Sequence, residues 1–181
     1  MGIGTKADEK TVLTSFIKTF EEDNMFFDFK FESKQTFDIL INRKSSDNIF
    51  DIYSTEKGTI CIISHQIFEE KLRKHFLSTF FDFLYFDISE TSMSHRFALF
   101  SNGNEGLCMN VWDMGNSKRI AGDNFLNIKD EDDVFFDIFP NAVKDFLSEK
   151  FHDIDVSTEI NRYVLIPKVT SNNLEPEKIR N

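Results

Sequence analysis

The stretch 26–32 restricts the folds open to this chain more than any other feature. Phe27, Phe29 and Phe31 alternate there with charged residues. Successive side chains of a β-strand point to opposite faces, so this alternation predicts a strand with its rings on one face and its charges in water. Such a face is stable only under a covering layer, and the 22 phenylalanines of the chain supply apolar side chains for a sheet covered by helices.

Other runs of alternating or wholly apolar residues predict further strands. These runs are 37–41, 49–53, 59–63, 96–101, 106–113 and 163–166. Short polar turns at 33–35 and 44–48 separate the first strands, which predicts an antiparallel meander. The run 59–63 is apolar on both faces and is expected at the centre of the sheet. Asn102 and Gly103 supply the positive φ angles that a hairpin turn needs before 106–113.

Helical spacing of apolar residues appears in three stretches. The first covers 7–23, the second begins after Ser64, a candidate N-cap, and runs to about residue 80, and the third covers 141–151. The pattern of 80–86 fits a helix and a strand equally. These elements predict a single α+β domain over 1–167, in which helices pack against a twisted, mainly antiparallel or mixed sheet. Residues 168–181 carry little apolar surface and are expected to form a flexible tail.

The balance of charge and the cysteines exclude several classes of function. The chain has 31 acidic and 21 basic residues and a net charge of −10, whereas proteins that bind nucleic acid or anionic membranes need a basic face. Cys61 and Cys108 lie in apolar runs and are expected to be buried free thiols of a reducing compartment. No signal peptide and no apolar stretch long enough to cross a bilayer is recognised, so the sequence predicts a soluble cytoplasmic protein.

Acidic residues are concentrated in the stretch 122–159. Like charges held this close together repel, so the cluster predicts a docking surface that accelerates association with a basic protein partner. A solvated face, with acidic residues at helix N-termini, is the alternative interpretation. Rings rimmed by carboxylates are typical of tight interfaces. The candidate partner-binding residues are Asp130, Glu131, Asp132, Asp133, Phe135, Phe136 and Asp137.

The sequence contains no recognised motif for catalysis, for a cofactor or for a metal ion. Asp51 with the run 69–71 has the letters of a nuclease site, but Glu69 and Lys71 fall on a predicted helix, where residues two apart face different directions. No catalytic residue, cofactor or metal is therefore predicted. An enzyme that uses Cys108, His95 or a pair of carboxylates stays open as an alternative.

These observations favour a non-enzymatic acidic binding protein. In composition the chain resembles the acidic immunity proteins of bacterial competition systems. The resemblance implies an antitoxin that neutralises a basic toxin, of nuclease type, by covering its active-site cleft. A nucleic-acid mimic that inhibits a DNA-binding enzyme is a second hypothesis, and an enzyme with an unrecognised site is a third.

Overall fold

The computed structural model describes residues 1–37, 48–64, 67, 72–89, 94–112, 117–122, 129, 137–148 and 150–168. The strands within them are β1 (Gly2–Thr5), β2 (Phe27–Thr36), β3 (Ile49–Ser54), β4 (Thr59–Ile63), β5 (Phe83–Ser89), β6 (Ser94–Ser101), β7 (Asn104–Trp112), β8 (Ser117–Ala121) and β9 (Glu159–Pro167). The helices are α1 (Glu9–Glu22), α2 (Lys74–Leu77), α3 (Phe139–Leu147) and a 3₁₀ turn at Phe151–Asp153.

The described strands form one antiparallel sheet in the order β2-β9-β3-β4-β1-β5-β6-β7-β8. Every neighbouring pair is antiparallel, so the predicted α+β class with helices on a twisted antiparallel sheet is confirmed. β4 lies fourth in this order, and all its side chains are buried, as its apolar run predicts.

One face of the sheet, here called the α1 face, packs against α1 and α2. The predicted apolar stripe of α1 is confirmed, since Val12, Phe16 and Phe20 are fully buried. Beneath them a row of side chains crosses β3, β4, β1, β5 and β6 in register: Ile52, Cys61, Ile3, Tyr85 and Ala98. Burial of this row and stripe holds α1 on the sheet.

The opposite face, here called the α3 face, packs against α3. Phe139 of α3 lies with its ring centroid 5.1 Å from Phe86 and 5.7 Å from Phe97. Val143 and Leu147 continue the buried stripe one and two turns later. The helix ends at Ser148, which adopts a left-handed conformation with φ of 63°. The prediction of a helix in this region is therefore confirmed, with its end before residue 151.

The expected meander is wrong for the first strands. β2 runs through the predicted turn at 33–35 and absorbs its polar residues at a register shift between Phe31 and Ser33. β2 also pairs with β9 and not with the following strand. A bulge accommodates an extra residue within a strand, so polar letters alone do not mark a chain reversal. The predicted strand at 37–41 lies outside the described residues beyond Phe37.

The second predicted helix is also wrong in its length. Ser64 does accept a hydrogen bond from the Ile67 N–H at 3.4 Å, as an N-cap would. The backbone at Arg73 is not helical, with ψ of 84°, and α2 is a single turn. Residues 83–89 then form a strand, which settles the ambiguity of the aromatic run.

The predicted hairpin is confirmed. Asn102 and Gly103 have φ of 48° and 79° between β6 and β7, as the two central residues of a tight hairpin turn require.

The predicted last strand is confirmed and extends over β9. Lys168, the first residue of the predicted tail, donates its N–H to the Phe26 carbonyl oxygen at 2.8 Å, and 169–181 lie outside the described residues. No helix in the described ranges has the length and apolar character needed to cross a membrane.

Candidate functional site

The predicted partner-binding residues lie in the connection between β8 and α3. Asp130, Glu131, Asp132, Asp133, Phe135 and Phe136 are outside the described residues, so their contribution stays a prediction. Asp137 is described and exposed, one residue before the N-cap of α3. A carboxylate at this position interacts favourably with the positive end of the helix dipole, which is the alternative reason for its presence.

The described residues carry almost no net charge. Of the 31 acidic and 21 basic residues, 17 and 16 respectively lie in the described ranges. The remaining 14 acidic and 5 basic residues account for nearly the whole charge of −10. In the segment 123–136, Lys129 is the single basic residue, and the acidic residues are Asp123, Asp130, Glu131, Asp132 and Asp133.

Two carboxylates near the end of the acidic stretch have partners within the domain. Glu159 accepts a hydrogen bond from the Lys34 ammonium at 2.7 Å, in a pair where both side chains are exposed. Asp155 accepts bonds from the Ser157 N–H and hydroxyl at 2.8 and 2.7 Å, and the backbone bond holds its pKa below the usual value. Of these two carboxylates only Glu159 is paired with a cation, and Asp155 keeps its negative charge.

Some phenylalanines of the described residues are buried and others are exposed. Phe86 and Phe139 are buried in the core and are not available to a partner. Phe26 is 46% exposed, and Phe31, which the sequence placed on the buried face of its strand, is 49% exposed. The two exposed rings lie at either end of the first half of β2. They are the described aromatic residues best suited to contact another molecule.

Between α1 and β2 lies a groove with a volume of about 440 Å³. Leu13 and Ile17 of α1 and Phe29 of β2 give it apolar walls. Phe20 contacts Phe27, and Phe16 contacts Phe29, so α1 and β2 run in opposite directions along the groove. It is open along the outer edge of the sheet. We call this feature the α1–β2 groove.

Glu9 lies in the α1–β2 groove, in the first turn of α1, and ties the helix to the sheet. It accepts hydrogen bonds from the Tyr163 hydroxyl and, at 3.0 and 3.1 Å, from the Asn161 side-chain amide. The Ser54 hydroxyl adds a bond of 3.2 Å. Burial, and then the bond to Glu9, raise the pKa of Tyr163 well above its usual value. A tyrosine that retains its proton is a hydrogen-bond donor and not a base, so this cluster acts in positioning.

Asp51, the first carboxylate of the nuclease-like pattern, is bound by an arginine. The Arg162 guanidinium donates to both oxygens of Asp51, at 2.7 and 2.9 Å. The Asp51 side chain is completely buried, and the bond to Asp51 raises the pKa of Arg162. Both oxygens of Asp51 are engaged in this bidentate pair, so Asp51 stabilises the pairing of β3 with β9.

Cys108 and His95 do not form a dyad, because they lie on opposite faces of the sheet. Cys108 is opposite Ala98 on the α1 face, whereas His95 belongs with Phe97 on the α3 face. Both cysteines are free. Cys61 is buried as expected, but Cys108 is only half-buried.

Sequence reasoning did not find the Glu9 cluster or the Asp51–Arg162 pair. Each joins residues more than 100 positions apart. The available signal for the pair was Asp51 itself, a charged residue in an otherwise apolar strand, which requires a buried partner.

Comparison with models of known protein families, with curated proteins and with solved structures finds no match.

Proposed function

We propose that this chain is an acidic inhibitor protein of the immunity or antitoxin type. It binds a basic toxin of nuclease type and covers the active-site cleft, and the segment 123–137 makes the central contact. The observation that supports this proposal is the distribution of charge. The stretch 122–159 has 11 acidic and 3 basic residues, whereas the rest of the chain has 20 and 18.

This distribution favours docking over general solubility. A surface that is acidic only for solubility carries its excess throughout, and every element contributes to it. Here the excess is local, and a local cluster of one sign produces a directed field that steers a partner of opposite charge. The basic cleft of a nuclease, which must attract phosphates, is a partner of suitable charge.

The proposal is tested with a basic nuclease toxin domain, to be sought first in the reading frame next to the gene for this chain. Association is followed by stopped-flow fluorescence at low and at physiological salt, and inhibition by the residual activity of the toxin. Carboxylates are replaced by neutral amides in the variant D130N/E131Q/D132N/D133N/D137N. We expect association at low salt to slow by roughly tenfold to a hundredfold, because steering by opposite charges contributes a factor of this size.

A matched variant removes the same number of charges from exposed carboxylates outside 122–159: E21Q/E22Q/D23N/E32Q/E56Q. We expect it to associate nearly as fast as the wild-type protein. The wild-type rate should fall as salt is added, because the Debye length shortens to about 10 Å at 0.1 M. Equal slowing in the two variants, or an active toxin in the complex, would contradict the proposal.

A further inference from the structure

β2 lies at the end of the sheet. Among the strands that the structure describes, β9 is its neighbour on one side, and none pairs with the other side. β2 is ten residues long. A long strand at a sheet edge presents a row of backbone N–H and C=O groups that can pair with a strand from another chain. An inference about this edge is independent of the docking role proposed for the segment 123–137.

The hydrogen bonds at the start of β2 identify the residues that face outward. The Lys168 N–H donates to the Phe26 carbonyl oxygen, so the backbone of Phe26 faces β9. Alternation along an antiparallel strand then directs the N–H and C=O groups of Phe27, Phe29 and Phe31 to the outer edge. Accordingly, the Phe29 N–H donates to the neighbouring Asp28 carboxylate at 2.8 Å and not to β9.

The five residues from Phe27 to Phe31 are complementary to themselves. When two copies are paired antiparallel around a two-fold axis at Phe29, Phe27 of one copy lies opposite Phe31 of the other. The same register places Asp28 opposite Lys30 in both halves of the pair. Residues directly opposite each other share a face, so the opposite charges meet each other and the rings meet each other.

We propose that two copies of this chain associate through β2 in this register and form one continuous sheet across the two-fold axis. Phe27, Phe29 and Phe31 exchange backbone hydrogen bonds with their opposite residues, because all three present their groups outward. Phe31, now 49% exposed, is covered by the second copy. The two α1–β2 grooves face each other across the axis, and the apolar walls of Leu13 and Ile17 are enclosed between the copies.

The arrangement of charges favours this occupant over another strand. Charged residues on an edge strand usually prevent pairing, since like charges meet when two such edges approach. In β2 the order of Asp28 and Lys30 reverses this effect for a second copy of the same strand. The register shift between Phe31 and Ser33 ends the outward alternation. The shift therefore confines the pairing to 27–31 and excludes longer, misaligned registers.

The proposal is tested by sedimentation equilibrium of the full chain over a wide range of concentration. We expect a monomer–dimer equilibrium that the single variants D28K and K30D weaken roughly tenfold, because each places like charges opposite each other twice per dimer. The exchanged variant D28K/K30D restores opposite charges and should recover the affinity. F31P removes an outward N–H without removing a bond to β9, so it should abolish dimers while the chain stays folded, as circular dichroism reports.

The control K57D changes an exposed lysine in the turn between β3 and β4 and should dimerise as the wild-type protein does. Hydrogen exchange at the Phe29 and Phe31 amides should slow as the concentration rises. A monomer at every concentration overturns the proposal, and slow exchange of these amides in that monomer would assign the edge to a segment of the same chain. Failure of D28K/K30D to recover, or equal weakening by K57D, overturns the register.

Discussion

Replacing Arg162 by methionine should destabilise the domain more than the loss of one ion pair would suggest. Asp51 is completely buried, and both its oxygens accept bonds from Arg162, at 2.7 and 2.9 Å. Arg162→Met removes both of these charge-assisted hydrogen bonds from a buried carboxylate. Removing one partner of a buried pair costs about 3–5 kcal/mol, a large share of the roughly 5–15 kcal/mol that holds a domain together.

The exposed pair Lys34–Glu159 provides a matched control. Its N···O distance is also 2.7 Å, but its side chains are 61% and 66% exposed. Lys34→Met should therefore cost at most about 1 kcal/mol, because water already solvates both charges. The two pairs share a shortest N···O distance of 2.7 Å, whereas they differ in burial and in the number of hydrogen bonds.

Urea unfolding followed by circular dichroism measures both free energies of unfolding. The melting temperature of R162M should fall by roughly 6–20 °C, at about 2–4 °C per kcal/mol for a domain of this size. The double variant D51L/R162M should be more stable than R162M, because it leaves no buried charge. The difference in free energy of unfolding between R162M and the wild-type protein should become smaller at acid pH, because a protonated carboxyl group costs less to bury. Equal effects of R162M and K34M would refute the reasoning.

Two further predictions concern Tyr163 and Gly58. Burial and the bond to Glu9 raise the pKa of Tyr163, so its ultraviolet ionisation step should lie above the ordinary value of 10.0, and Glu9→Gln should lower it. The Tyr163 hydroxyl ionises at lower pH in the unfolded chain than in the folded one. The stability that it contributes is therefore full below about pH 10 and falls as the pH rises further. A free energy of unfolding that stays unchanged through this range would contradict the prediction. A Cβ at Gly58 would lie 2.4 Å from the Thr5 carbonyl oxygen and 2.7 Å from that of Phe146, so Gly58→Ala should cost about 1–3 kcal/mol or more in urea unfolding, and an unaffected midpoint would exclude the clash.

Local patterns were sufficient for α1, β4 and the hairpin between β6 and β7. Each of these elements carries its signal within its own residues: a stripe at helical spacing, a wholly apolar run, and Asn102 with Gly103 at a positive φ. The same reasoning missed β1, because Gly2–Thr5 is only four residues long. A strand this short has no period to detect, and its place between β4 and β5 depends on contacts distant in sequence.

The candidate sites divide in the same way. Composition alone predicts an acidic docking segment at 130–137, since the count of charges needs no coordinates. The outward direction of Phe29 and Phe31, in contrast, depends on the pairing of β2 with β9.

Periodicity and composition are properties of neighbouring residues, so they were enough to predict the class of the fold, the faces of its amphipathic elements and the sign of its net charge. The packed sheet was needed to show that β9 pairs with β2, that Arg162 binds Asp51, and that the strand with the strongest pattern lies at an edge. Strand order and ion pairing join residues more than 100 positions apart. Such contacts are selected by the free energy of the whole packed sheet and leave no periodic signal in the segments that make them.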